Sequence, residues 1–145
     1  SASDADLKKL NLNGDYHDLM LKILCNRFAE AMAELLHRRL STRFSENGGP
    51  IGIRPAPGYP ACPDHSEKAK IFRILNVENC LEVRLNENFM MVPASGICGY
   101  YFPNPDAAYI NVGRIGRDQA EDYAIRKNIN ISQIEKLLST HLNYQ

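Results

Sequence analysis

The residues of this 145-residue chain whose types and spacing suit chemistry gather in one stretch, Gly52 to Lys68, reading GIRPAPGYPACPDHSEK. Arg54 and Tyr59 stand there on a backbone stiffened by four prolines, Pro55, Pro57, Pro60 and Pro63. Each proline fixes its own φ and biases the preceding residue toward an extended conformation, so the stretch is neither helix nor central strand before Asp64. Gly58 is a position where the backbone turns or approaches something closely. A loop that presents one shape lowers the ordering cost of binding, and this one reads as a recognition surface. Arg54 is either a structural donor to loop carbonyls or a grip for a carboxylate, which a guanidinium meets bidentately while staying charged. Tyr59 fits a core ring that anchors the loop.

Other chemistry is weaker. Cys62 and His65 form a Cys-x2-His pair that, with Cys25 and His37, brings zinc to mind. Structural zinc takes four ligands in paired spacing, and one pair is visible, which argues against it. Asp64 reads better as an N-cap, with Glu67 three residues on completing a capping box. No GxSxG, HExxH or persuasive catalytic triad occurs, so no nucleophile, general base or metal site stands out that would run a reaction alone. No GxGxxG follows a strand, so a Rossmann-type nucleotide site is unsupported.

The elements that position the loop follow from periodicity. From Tyr16 to about Phe44 there is no proline or glycine, and Asp15 after Asn13-Gly14 starts a helix. Met20, Leu24, Phe28, Ala31 and Leu35 share one side, and Leu21, Cys25, Ala29, Met32, Ala33, Leu36 and Leu40 widen the apolar arc past half the circumference. Such a helix is expected to be buried among other elements. The narrow polar stripe holds Arg27, Glu30, Glu34 and His37, with Glu34 and Arg38 an i,i+4 pair. Ser41 to Pro50 is a loop. A helix from Asp64 to near Asn76 carries Ala69, Phe72 and Leu75, and Asn76 to Asn86 is a turn with a short helical or extended piece. Strand patterns at Phe89–Val92, Gly96–Phe102 and Ala108–Val112, with a Pro103-Asn104-Pro105-Asp106 turn, predict an antiparallel meander. Tyr109 fits a cross-strand packing ring. Pro93 to Gly96 reads as a bulge or as a place where a ligand nears the backbone. Helices Gln119–Lys127 and one opened by a Ser132-x-x-Glu135 capping box, with Ile134, Leu137, Leu138 and His141, cover the sheet. The expectation is an α+β, non-Rossmann fold in a single domain over residues 1–145, with 1–14 a polar, flexible lead-in.

These blocks, in this order, carry a resemblance. RPAPGYPACPDHSEK, the upstream RFAEAMAELLHRR and the downstream segment from Glu87 to Asn128 resemble the C-terminal activation domain of cobalamin-dependent methionine synthases, over roughly Tyr16 to Tyr144. The similarity spans about the C-terminal half of that domain. It implies binding of S-adenosylmethionine (AdoMet) without a Rossmann fold. It further implies a part in reductive methylation of cobalamin held by a partner domain, with electrons from a flavodoxin-like donor, in a cytoplasmic enzyme that makes methionine from homocysteine and methyltetrahydrofolate. The chain would be part of a methyltransferase and not catalytic alone. By resemblance, Arg54 holds the methionine carboxylate of AdoMet, Glu30 its positive amino or sulfonium end, Tyr109 its adenosyl end, and Ile110 contributes backbone groups. Tyr59 and Gly58 face the corrin, near cobalt. A non-catalytic docking module for a cobalamin protein or its electron donor, and a sensor for another small molecule, are the alternatives.

Composition agrees with a soluble globular domain. The hydrophobic fraction is 44%, and seventeen basic residues balance seventeen acidic ones. With no basic block, nucleic acid is a poor partner. No apolar run nears the roughly 20 residues of a membrane helix, and SASDADLKKL lacks the pattern of a signal peptide. The initial serine points to a processed chain or a segment of a longer one. The widely spaced Cys25, Cys62, Cys80 and Cys98 suit reduced thiols.

Overall fold

A computed structural model describes residues 15–45 and 51–144. The expected lead-in, its Asn13-Gly14 turn and the end of the Ser41–Pro50 loop lie outside the described residues. Among the described residues, seven elements follow in order: α1 (Asp15–Phe44), α2 (Glu67–Ile74), α3 (Val77–Cys80), β1 (Arg84–Leu85), β2 (Met91–Val92), α4 (Arg117–Lys127) and α5 (Ile131–Leu137). The class is α+β, and β1 pairs antiparallel with β2, Arg84 opposite Val92 and Leu85 opposite Met91.

The other two expected strands are not regular strands. Gly96–Phe102 runs extended beside the proline stretch, with Phe102 N–H donating to Ile53 O at 2.9 Å, Ile53 N–H to Phe102 O at 3.1 Å and Tyr100 N–H to Pro55 O at 2.9 Å. Ala108–Val112 makes one backbone-to-backbone hydrogen bond to the same stretch, where Val112 N–H donates to Pro60 O at 3.0 Å. The physical reason is the partner: a proline lacks the N–H that a continuous ladder requires, so pairing with this loop comes as isolated bonds.

The core lies at the C-terminal end. Ile115, Ala120, Ala124, Ile134 and Leu138 form one buried cluster, with Tyr123, Ile129, Leu137 and Tyr144 packed against it. Helix α4 starts two residues earlier than expected, after Gly116. Helix α5 is capped by Asn130, whose Oδ1 accepts from Ser132 N–H at 2.9 Å, while Gln133 Oε1 accepts from Asn130 N–H at 3.3 Å. The Ser132/Glu135 box therefore does not form, because an equivalent box fits two residues upstream. Glu135 instead accepts from Tyr144 Oη at 3.2 Å.

Asp64 does not cap α2 either. Its Oδ1 accepts from Ser66 N–H at 2.7 Å, and α2 begins only at Glu67. Its Oδ2 accepts from Lys127 Nζ at 2.6 Å and Tyr123 Oη at 2.7 Å, and Glu67 Oε1 accepts from Lys127 Nζ at 2.5 Å. Both carboxylates are thus committed to α4 and unavailable for a capping box. Burial alone would raise the Asp64 and Glu67 carboxyls. The Lys127 ammonium, with Ser66 and Tyr123 at Asp64 and Lys70 at Glu67, outweighs it and holds both below the ordinary range. Burial works against the Lys127 ammonium too, but the two carboxylates raise it.

Helix α1 is where expectation and structure part. It packs through one narrow ridge, Leu21, Cys25, Ala29, Ala33, His37 and Ser41, an i,i+4 row. Tyr101 Oη donates to Ala33 O at 3.0 Å, and its ring lies 5.6 Å from that of His37. The side with Met20, Leu24, Phe28 and Leu35 is exposed, Phe28 to 70%. Enclosure of α1 is therefore corrected: among the described residues, no element covers its wider apolar arc.

Two outcomes check this architecture. Phe28→Ser should leave stability to chemical denaturation within about 0.5 kcal/mol, as a surface change does, whereas Ile134→Ala should cost about 2–5 kcal/mol through the cavity it leaves. Lys127→Met should cost about 3–5 kcal/mol near neutral pH, since it leaves the buried Asp64 carboxylate without a cation and Glu67 with Lys70 alone. Because both carboxyls are depressed in the folded state, the stability they contribute is present above their unfolded values of about 4 and is lost as pH falls through the folded ones. The penalty of Lys127→Met should accordingly shrink in acid unfolding measured at about pH 3.

Candidate functional site

The proline stretch lies between two anchors. At its start, the mutual Ile53–Phe102 bonds fix the backbone just before Arg54. At its end, Asp64 is tied to α4. Between them Tyr59 N–H donates to Ala56 O at 3.3 Å, Gly58 N–H to Cys62 O at 2.7 Å and Cys62 N–H to Tyr59 O at 2.8 Å, closing a turn around Tyr59–Cys62. Gly58 sits at φ +96°, and a Cβ there would fall 2.1 Å from His65 Cε1. Both reasons for a glycine hold: a left-handed backbone, and an imidazole packed against it.

Arg54 is brought to α1. Its Nη2 lies 3.5 Å from Glu30 Oε2 and 3.6 Å from Glu34 Oε2. The two glutamates are one helical turn apart and so share a face. Glu34 also accepts from Arg38 Nε at 2.9 Å, and that hydrogen bond, with the nearby cations, lowers its carboxyl. Sequence reasoning assigned Glu34 only to Arg38; its position one turn after Glu30 was the signal that both would reach the loop.

Tyr109 reaches the same place from the other side. The Arg54 N–H donates to Tyr109 Oη at 2.9 Å, so the phenol is fixed on the backbone of the residue whose guanidinium meets Glu30. The ring itself is 61% exposed, and Ile110 beside it is exposed too. Residues 24, 55 and 79 positions apart in sequence, Glu30, Arg54 and Tyr109, thus meet in one open surface group. Tyr59 lies on the same loop, beyond the turn at Gly58, and is 64% exposed, so it is not the core anchor that its ring permitted.

The chemistry of this group is that of a zwitterion cradle. The guanidinium has five donors and stays charged. Its carboxylate neighbours are at distances longer than the 2.7–2.9 Å of a tight charge-assisted pair, so the fork has capacity for an incoming carboxylate. Glu30 and Glu34 offer negative charge for a cationic end, and the exposed Tyr109 ring offers a stacking face. Burial raises the Cys62 thiol, and His65 Nδ1 lies 2.7 Å from Lys68 Nζ. Two hollows lie away from the group. One, about 400 Å³, is bounded by Glu78, Glu82, Arg84 and Pro93, and the other, about 270 Å³, by Cys62, Val112, Tyr123 and Leu138.

Comparison with known proteins gives two findings. Residues 3–128 match the family described as "Vitamin B12 dependent methionine synthase, activation domain". The chain is also similar, at 43% identity and a TM-score of 0.84, to "Crystal Structure of the MetH Reactivation Domain bound to AdoHcy". That similarity covers 90% of this chain and 44% of that one, so the chain spans less than half the length of this relative.

Removing the Tyr109 hydroxyl tests the local geometry. Tyr109→Phe should leave the fold intact at a cost of about 0.5–1.5 kcal/mol, and amide hydrogen exchange should speed up at Arg54 N–H, which loses its acceptor, more than at Ile53 N–H, which keeps Phe102 O.

Proposed function

The chain belongs to the activation-domain family of vitamin B12-dependent methionine synthases, and on that premise we propose that it binds AdoMet and takes part in the reductive methylation of cobalamin held by a partner domain. The observation that carries this reading is the meeting of Arg54, Glu30 and Tyr109 in one group. In it Arg54 receives the α-carboxylate of AdoMet, Glu30 faces the amino or sulfonium end with Glu34 alongside, and Tyr109 supports the adenosyl end. Ile110 offers backbone groups beside that ring. The residues fit the ligand by charge: one fixed cation for its carboxylate, and carboxylates for its positive centres. When bound, AdoMet supplies an electrophilic methyl group. The chain's own work is to grip and orient it, which is the larger part of catalysis by positioning.

Tyr59 and Gly58 are proposed to face the corrin of the partner domain. Tyr59 projects from a turn held at Ala56, Gly58 and Cys62, so its ring meets a partner with little left to order. A flavodoxin-like protein is the proposed electron donor. Methionine synthesis from homocysteine and methyltetrahydrofolate is the activity of the whole enzyme to which this domain would contribute, in the cytoplasm, where its four free cysteines remain thiols. No helix among the described residues is long and apolar enough to cross a membrane.

A second reading, a docking module that recognises a cobalamin protein without binding AdoMet, is favoured by the exposed apolar side of α1. Calorimetric titration of AdoMet and of S-adenosylhomocysteine separates the two. Saturable binding weakened about 10- to 100-fold in Arg54→Ala is expected, as about 1.5–3 kcal/mol goes with a hydrogen-bonded charge. Absence of binding in the wild type, alone and with a cobalamin-loaded partner domain, combined with partner binding that survives Arg54→Ala, would establish the docking reading instead.

A further inference from the structure

Lys68 is a buried cation, 6% exposed, and among the described residues no carboxylate pairs with it. Its Nζ lies 2.7 Å from His65 Nδ1. An ammonium has donors only, so Nδ1 must accept and the imidazole is neutral, with its proton on Nε2. The Nδ1–Cε1–Nε2 edge of the same ring packs on Gly58, where a Cβ would fall 2.1 Å from Cε1 and 2.5 Å from Nδ1. The His65 ring therefore links Lys68 of α2 to the turn that carries Tyr59. The turn's own hydrogen bonds, Gly58 to Cys62 and Cys62 to Tyr59, pass any movement at Gly58 to Tyr59.

We propose that His65 is a positioning residue for Tyr59: held neutral by Lys68, it props the Gly58–Tyr59 turn, and its protonation releases that turn. An incoming proton must take Nδ1, the atom that accepts from Lys68. Two cations would then share a part-buried contact, and a shift of the ring away from Lys68 moves the edge that packs on Gly58. Of the charged groups facing the ring, Lys68 of α2 opposes the imidazolium and Asp64 of the loop favours it. The Cys98 thiol of the extended segment and the Cys62 thiol of the loop lie near Lys68 and are themselves raised by burial. Burial and Lys68 prevail over Asp64, so the imidazole is lowered from its ordinary value. Near neutral pH the prop is in place, and it fails on acidification.

The test is an NMR pH titration of the ligand-free chain, following the His65 imidazole and the Tyr59 ring. Tyr59 resonances should shift with the same midpoint as His65, below the ordinary value of about 6.5. Lys68→Met should raise both midpoints together. His65→Gln, which keeps a polar side chain but cannot titrate, should leave Tyr59 independent of pH between about 5 and 8. A Tyr59 signal that stays still while His65 titrates overturns the proposal, as does a Tyr59 midpoint that persists in His65→Gln. If Lys68→Met does not fold, the wild type and His65→Gln decide alone. The consequence for a corrin partner rests on the function proposed above, but the titration contains no AdoMet or cobalamin. Its failure therefore leaves the calorimetric result standing, and the reverse holds equally.

Discussion

One largely enclosed ammonium, Lys127 Nζ, ties α4 to the end of the proline loop and the start of α2 by sitting 2.6 Å from Asp64 and 2.5 Å from Glu67. Without it, the far end of the loop that carries Arg54 and Tyr59 would be tied to α4 only through the Tyr123 hydroxyl. Charges this enclosed are costly to separate from water, and the cluster is tolerable because every member has a partner. Tyr123 adds its hydroxyl to both carboxylates, and burial with those carboxylates raises its own ionisation far up, so it remains a donor. The C-terminal core built on Ile134 and Ala120 thus has a consequence at a distance: it holds α4, α4 holds Asp64, and Asp64 holds the end of the proline loop.

The loop in turn gives the site its form. Its prolines prevent a sheet from growing onto it, leaving single bonds from Phe102, Tyr100 and Val112. Those bonds are enough to bring residues from three parts of the chain together, because the loop itself has little freedom left to lose. Arg54 faces α1 on one side, and its backbone N–H takes the Tyr109 hydroxyl on the other. Arg54 side chain and main chain therefore do different work, one available to a ligand and one fixing the ring beside it.

Helix α1 shows the opposite balance. It contributes Glu30 and Glu34 to Arg54, yet otherwise it packs through the narrow ridge from Leu21 to Ser41, mostly small and polar residues. A side bearing Met20, Leu24, Phe28 and Leu35 is far more apolar than a solvated helix requires. The relative of known structure is more than twice as long as the part matched here, 44% of it being covered. Among the described residues, that side of α1 stays exposed.

Much of this was legible in the sequence, and the misses share a cause. The span of α1, the stiff loop, the Pro103–Asp106 turn, the C-terminal helices and the Glu34–Arg38 pair follow from proline geometry, periodicity and i,i+4 spacing, all local properties. So does the identity of Arg54 as the loop's fixed charge. What the chain order does not contain is competition between distant partners. Asp64 and Glu67 have the spacing of a capping box, but Lys127, about sixty positions away, offers a stronger partner and takes both. Ala108–Val112 alternates like a strand, but its neighbour is a loop poor in N–H groups. The apolar arc of α1 predicted burial, but burial depends on what lies opposite. Residue types and spacing singled out Arg54 as a candidate grip for a carboxylate, while Glu30 and Tyr109 entered through the resemblance alone. Only the tertiary structure decided that Glu30, Arg54 and Tyr109 meet, because a contact between residues 24 and 55 positions apart is set by packing and by the best available hydrogen-bond partner, not by local backbone preference.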